Sequence, residues 1–275
     1  MKRIVGKLID VLYFVDKRRA VNLAYTLFSS PRKGKFTREV PSFLREAEDE
    51  RFVFLGEEIQ CYSWNLLAID KPLVLLVHGW ESNASRWEAL QEYFSNDFRI
   101  VSFDAFALGQ SSGKQLAVPD FSSLIGCLID RYKPSSVVAH SLGAFCLLNY
   151  LAFHQVTFIK NIVLLGCLGR FSTILDYYYA MLGYSEVLQK AISRDLELKT
   201  KRTIESFSSK QYIELIEAKV LVVHDGGDHI IPLVSCKAFH QSVLMQGGQV
   251  VITEGLGHST QGIAVYDVIK SFLEG

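Results

Sequence analysis

Short runs of branched apolar residues recur along this chain, separated by stretches with helical spacing. The runs 73–77, 98–103, 136–139, 162–165, 220–224 and 250–253 are four to six residues long. They predict strands buried on both faces. Between and after them, 84–94 (with Trp87, Leu90 and Phe94 on one face), 122–132, 142–153, 234–243 and 260–273 predict helices. Two further strands, 52–55 and 59–64, flank the turn Gly56-Glu57-Glu58. At the front, Ile4, Val5, Leu8, Ile9, Val11, Leu12 and Val15 recur at helical spacing. They predict an amphipathic helix continuing through Val21 to Leu27, stopped by Pro31. Strands alternating with helices predict an α/β fold: a mostly parallel, doubly wound sheet of about eight strands. In such sheets reactive groups gather at the carboxyl ends of the strands.

The alternation fails once. Residues 169–218 hold no strand pattern and are too long for a structureless loop. Tyr177, Tyr178, Tyr179, Met181, Leu182, Tyr184, Val187 and Leu188 suggest helices there. The expected organisation is a helical arm (1–50), a core (51–168 and 219–275) and an inserted helical cap (169–218).

Composition narrows the class. The chain has 275 residues, is 49% hydrophobic, and balances 29 basic against 29 acidic residues. It can bury a large core, and nothing global points to nucleic acid. The balance is uneven: nine cations from Lys2 to Lys35 face only Asp10 and Asp16. Such a run suits an acidic partner or an anionic membrane surface, although a solvated face is the commoner meaning. Cys61, Cys127, Cys146, Cys167 and Cys236 are scattered, with no Cys-x-x-Cys pair. No disulfide framework or metal site is expected, and Cys127, Cys146 and Cys167 read as buried thiols of a cytoplasmic protein. Lys7 and Asp10 interrupt the first apolar stretch, so a secretory signal is not expected. No run reaches the roughly 18 apolar residues of a spanning helix.

The candidate chemistry sits at strand ends. Ala139-His140-Ser141-Leu142-Gly143 places a serine where a strand turns sharply into a helix, the setting of a nucleophile elbow. A plain helix cap is the competing reading of Ser141. A serine needs a general base, and the base an orienting acid. After the strand at 220, Asp225-Gly226-Gly227-Asp228 offers two acids, of which Asp228, beyond the turn, is preferred. After the last strand, Gly255-Leu256-Gly257-His258 offers the base. Serine, acid and histidine then follow the chain order expected of this architecture. His154 and His240 read as surface residues; His140, His224 and His229 read as support for the motifs beside them. Acyl transfer also needs donors for the oxyanion. The amides of Leu142 and, after His78-Gly79, of Trp80 are placed to serve, with the Trp80 indole lining the pocket.

The set H-G-W, D-A-F-A-L-G-Q-S-S-G, A-H-S-L-G-A, H-D-G-G-D-H-I-I-P and G-L-G-H resembles the α/β-hydrolase superfamily over residues 52–275. More narrowly it resembles small soluble bacterial serine hydrolases of esterase type with a short helical cap. The resemblance implies catalysis by Ser141, Asp228 and His258, oxyanion amides at Trp80 and Leu142, and no cofactor. The chain departs from the usual pattern at Ala139 (for glycine), Phe106 (for proline) and Leu108 (for histidine). The expected activity is cleavage of a carboxylic ester through an acyl-enzyme on Ser141. Thioesterase, C–C bond hydrolase and acyltransferase chemistry share the same triad. A membrane-associated lipase and a non-enzymatic binding protein are the remaining alternatives. The expected partner is a small, apolar acyl substrate, in a pocket formed by His78, Gly79, Trp80, Phe106, His140, Tyr178 and Met181. The tyrosines and Met181 would alternatively form the core of the cap.

Overall fold

A computed structural model describes residues 2–37 and 39–275. Its strands are β1 (Glu48–Phe54), β2 (Glu57–Trp64), β3 (Leu73–Val77), β4 (Arg99–Phe103), β5 (Ser136–His140), β6 (Asn161–Leu165), β7 (Lys219–Asp225) and β8 (Gln249–Thr253). They form one sheet in the order β1-β2-β4-β3-β5-β6-β7-β8. β1 and β2 pair antiparallel, as do β2 and β4; all other pairs are parallel. Every residue of β3, β5 and β6 is buried, which explains their unbroken apolar runs. β1 alternates exposed and half-buried positions because it is an edge.

The helices are α1 (Lys2–Val15), α2 (Lys17–Ser29), α3 (Ser42–Arg45), α4 (Glu88–Phe94), α5 (Val118–Tyr132), α6 (Leu142–Leu151), α7 (Phe171–Leu182), α8 (Glu186–Thr200), α9 (Ser209–Ile213), α10 (Lys237–Met245) and α11 (Ile263–Glu274). Side chains alternate across the sheet. Leu73, Leu75 and Val77 meet the core of α5, α6 and α10, whereas Val74 and Leu76 meet that of α4 and α11. β3 neighbours both β4 and β5, so chain order reverses at its carboxyl end. That reversal opens the crevice where ligands of such sheets bind.

The expected single N-terminal helix is two. Asp16 leaves helical geometry (φ −143°) and its carboxylate caps α2 through the Arg19 amide at 2.9 Å. The arm is fastened to the rest: α1 packs on α7 and α2 on α8. Residues 29–37 then cross the loops after β3 and β4. Leu116 N–H donates to the Ser29 carbonyl (2.7 Å), Gly109 N–H to that of Gly34 (2.7 Å), and Lys35 Nζ to that of Ser111 (2.8 Å). Within 169–218 lie α7, α8, a 3-10 turn and α9, and α9 flanks α6 and α10. Cys61, Cys146, Cys167 and Cys236 are buried free thiols; Cys127, expected buried, is only partly so.

Candidate active site

Ser141 occupies the turn between β5 and α6 with φ 53°, ψ −121°, a conformation rare for a side chain bearing a Cβ. Its side chain makes no cap bond to α6, so the helix-cap reading does not hold. The turn closes because Gly143 lacks a side chain. A Cβ there would lie 2.2 Å from the His78 carbonyl oxygen. Strain of this kind, of order 1–3 kcal/mol, is retained where surrounding packing over-determines it. Here it lifts Oγ out of the strand and off the helix.

The hydroxyl has a partner. Ser141 Oγ lies 2.9 Å from His258 Nε2, and His258 Nδ1 lies 2.7 Å from Asp228 Oδ2. Nδ1–H donates to the carboxylate, which leaves Nε2 as the acceptor facing the serine. His258 sits in a 3-10 turn, Gly257–Ser259, between Gly257 (φ 58°) and Thr260 (φ 48°). Asp228 is buried, and its Oδ1 accepts from the amides of Ile230 (2.8 Å) and Ile231 (2.9 Å). Burial alone would raise the Asp228 carboxyl. The hydrogen bonds from His258 and these two amides outweigh it and hold the group ionised, below its ordinary value. Asp225, the competing acid, faces the loop instead. It accepts from Thr253 Oγ1 (2.8 Å), the Leu256 amide (3.0 Å) and the Gly227 amide (2.9 Å).

The amides expected to hold an oxyanion, Trp80 and Leu142, donate to no protein acceptor among the described residues. Gly79 brings the two loops together: a Cβ on it would lie 3.0 Å from Ser141 Cβ. His78 sets the direction of the peptide that follows. Its Nε2 accepts from the Ala105 amide at 2.9 Å, so its proton is on Nδ1, which donates to the Gly79 carbonyl at 2.8 Å. In a trans peptide the N–H points opposite to the C=O, so this bond turns Trp80 N–H the other way. Burial pushes the His78 imidazole down to about 4, keeping that tautomer neutral.

Several residues expected in the pocket are set elsewhere. His78 is fully buried. His140 has both ring nitrogens engaged, with Arg86 Nη1 at 2.7 Å and the His258 carbonyl at 2.8 Å. Arg86 Nη2 also donates to the Ser259 carbonyl at 3.1 Å. The Arg86–His140 pair is thus a strut under the turn that carries His258. Phe106 packs toward Phe54 and lines a groove of about 410 Å³ with Leu55, Glu57, Lys114 and Asp120, away from the triad. Tyr178 packs on Phe28 and Tyr184, and Met181 Sδ lies 3.4 Å from Lys2 Nζ. Both therefore face the N-terminal helices, which the aromatic pattern of the cap could not reveal. Trp80 is half-exposed at the site.

Sequence reasoning missed Arg86, Asp104 and Gly166. Asp104, buried at the end of β4, accepts from the Ala84 amide (2.9 Å), Tyr62 Oη (2.8 Å) and the Gln110 amide (2.8 Å), tying the loops after β3 and β4 together. Its position at a strand end was the available signal. Gly166 (φ 54°) ends β6 against the His258 ring. His240, read as a surface residue, is buried against His224, because α10 turns that face toward β7. Among the described residues, His224, Cys236 and His240 bring three ligand-type atoms within 4.8 Å of one another. His224 Nε2 donates to the Ile231 carbonyl at 2.8 Å, leaving Nδ1 a free lone pair. Two nitrogens and a sulfur form a donor set able to hold a soft divalent ion. The Cys236 thiol, raised by burial, stays protonated and donates to the Cys167 carbonyl at 3.4 Å.

Comparison with known proteins gives a family match and several relatives. A family model described as alpha/beta hydrolase fold matches residues 72–211. A pimeloyl-[acyl-carrier protein] methyl ester esterase of Pseudoalteromonas atlantica is 24% identical over 149 residues, 54% of this chain and 56% of that protein. The chain thus spans little more than half the length of the curated relative it matches. Among solved structures, an esterase of Pyrococcus furiosus superposes with a TM-score of 0.63 at 15% identity, over 89% of this chain and 96% of that one. A thioesterase domain from the curacin biosynthetic pathway superposes with a TM-score of 0.60 at 16% identity, over 82% and 99%. Likeness to these two structures is likeness of fold.

Proposed function

The chain belongs to the alpha/beta hydrolase fold family, and from that premise we propose that it is a serine hydrolase cleaving carboxylic esters through an acyl-enzyme on Ser141. The observation that carries this reading is the contact series Ser141 Oγ–His258 Nε2 (2.9 Å) and His258 Nδ1–Asp228 Oδ2 (2.7 Å), built on a positive-φ elbow. Ser141 Oγ attacks the ester carbonyl carbon while His258 Nε2 takes its proton. Asp228 holds the ring and stabilises the imidazolium. The amides of Leu142 and Trp80 receive the developing oxyanion. Collapse expels the alcohol, which takes the proton from His258. Water then attacks the acyl-enzyme with His258 again as base, and the acid leaves.

The relative's activity on a methyl ester and the fold shared with a thioesterase domain support an acyl substrate. Ser141 is itself buried, whereas Trp80, Leu142 and His258 around it are partly exposed, so a substrate reaches the serine past these three. The test is turnover of p-nitrophenyl esters from acetate to laurate, beside matched acyl thioesters and a vinylogous 1,5-diketone. Ester turnover with an acyl adduct on Ser141, detected by mass spectrometry after quenching, is the expected result. Cleavage of the diketone or the thioesters with inert esters would overturn the ester assignment.

A further inference from the structure

We propose that α1 docks the protein on an anionic lipid surface, lying flat in the headgroup layer. A surface helix of a globular protein turns its apolar stripe inward. α1 does the reverse. Ile4, Leu8, Val11, Phe14 and Val15 are 65%, 65%, 63%, 78% and 83% exposed. At 100° per residue, Ile4, Leu8, Val11 and Val15 fall within an arc of roughly 60°. The residues that α1 buries, Gly6, Ile9 and Asp10, lie on the opposite side.

That inner face is already used. A Cβ on Gly6 would lie 2.0 Å from the Leu182 carbonyl oxygen, so only glycine lets α1 seat on the end of α7. Asp10 accepts from the Ser185 amide (3.0 and 3.1 Å) and from its hydroxyl (2.6 Å), at the turn into α8. Helix α1 is therefore part of the folded body, held by packing and by a buried carboxylate. Its outer stripe has no partner among the described residues.

Charge selects the occupant. Lys7 borders the stripe on α1, Lys17, Arg18 and Arg19 open α2 directly after it, and all four are exposed, as are Lys2 and Arg3 at the start of α1; Asp16 is the only exposed acid from 2 to 19. The whole chain is neutral, so this excess is local. Apolar side chains with a cationic border match the boundary between acyl chains and anionic headgroups. A second copy docking by the same face would bring these cations together. No helix among the described residues is long and apolar enough to cross a membrane, which leaves contact in the plane. Docking would leave α7 and the start of α8 behind α1, on its side away from the lipid. For an ester hydrolase held at such a surface, acyl esters of the bilayer are the substrate class to test, an extension that rests on the function proposed above.

Flotation tests the docking. The full chain is mixed with phosphatidylcholine vesicles, with and without phosphatidylglycerol, beside the double variant Leu8→Glu/Val11→Glu and the triple variant Lys17→Ser/Arg18→Ser/Arg19→Ser. All these positions are exposed and outside the site, so circular dichroism and turnover of soluble p-nitrophenyl butyrate should match the parent. The parent should float with the phosphatidylglycerol vesicles and the double variant should not. The triple variant should lose roughly fivefold per charge removed, corresponding to about 1 kcal/mol per basic residue. Failure to float with either vesicle overturns the proposal, as does binding that survives Leu8→Glu/Val11→Glu. A dimer by light scattering that this double variant dissolves, without flotation of the parent, assigns the stripe to a second copy and also overturns it. Parent flotation with no ester turnover would leave docking standing and remove the hydrolase reading alone.

Discussion

Replacing Asp228 by asparagine should abolish turnover without displacing a single backbone bond. The two oxygens of Asp228 have different tasks. Oδ1 accepts from the Ile230 and Ile231 amides at 2.8 and 2.9 Å, and Oδ2 accepts from His258 Nδ1 at 2.7 Å. An amide NH₂ cannot accept, so the asparagine carbonyl must keep the two backbone donors. The reverse orientation would orphan both, at about 1–3 kcal/mol each. The NH₂ then points at His258 Nδ1 as a donor. The ring answers by moving its proton to Nε2, the nitrogen that must receive the serine proton. The loss expected for a wrong tautomer with intact geometry is about 10⁴-fold in kcat, or about 5 kcal/mol at 1.36 kcal/mol per decade. KM should change little, because the buried Asp228 does not reach the substrate. Steady-state kinetics on p-nitrophenyl butyrate read both constants, and a urea midpoint checks the fold. Asp225→Asn is the control: it holds the loop and not the ring, so kcat should stay within roughly tenfold. A kcat for Asp228→Asn within tenfold of the parent would mean that Asp228 does not set the His258 tautomer, and a deeper loss in Asp225→Asn would reverse the assignment.

Arg86→Ala removes the bonds to His140 Nδ1 and the Ser259 carbonyl, so the turn carrying His258 loosens. The expected result is a kcat lowered about 10–100-fold with KM nearly unchanged; an unaltered kcat would deny the strut. Gly143→Ala forces a Cβ to 2.2 Å from the His78 carbonyl oxygen and should cost about 1–3 kcal/mol by urea denaturation; a neutral substitution would contradict the tight elbow. Burial lowers His78 and His240 to about 4 in the folded chain, against 6.5 when unfolded. Between those values the unfolded chain binds more protons. The stability is therefore full above about pH 6.5 and lost as pH falls toward about 4, by roughly 2 kcal/mol per histidine at pH 5. Equal urea midpoints at pH 7.5 and pH 5 would contradict it.

The sheet was legible because strands buried on both faces must be apolar throughout, as 73–77 and 162–165 are. The elbow and acid loops were legible because each begins where such a run stops; the histidine loop follows β8, which, against expectation, is an edge strand with every residue half-buried or exposed, so only its apolar run marked it. What escaped depends on contacts between distant segments. Nothing in the spacing of Tyr178 and Met181 says that residues 2–29 will cover them. Arg86 has no local motif; it matters because folding brings it to His140 and the Ser259 carbonyl. The place of His140 beside the elbow suggests a pocket wall, and only the full fold shows both ring nitrogens spoken for. The periodicity of the first helix was correct, but periodicity gives a stripe and not its direction. In α1 the stripe points outward, because Gly6 and Asp10 make the inward contacts.

A fluorophosphonate probe reads whether Ser141 is an activated nucleophile without a substrate assumption. The folded parent should take up one phosphonyl group, located on Ser141 by peptide mass spectrometry, and Ser141→Ala should take up none while melting at the same temperature. An unlabelled parent, or equal labelling of Ser141→Ala, would mean that Ser141 is not the nucleophile.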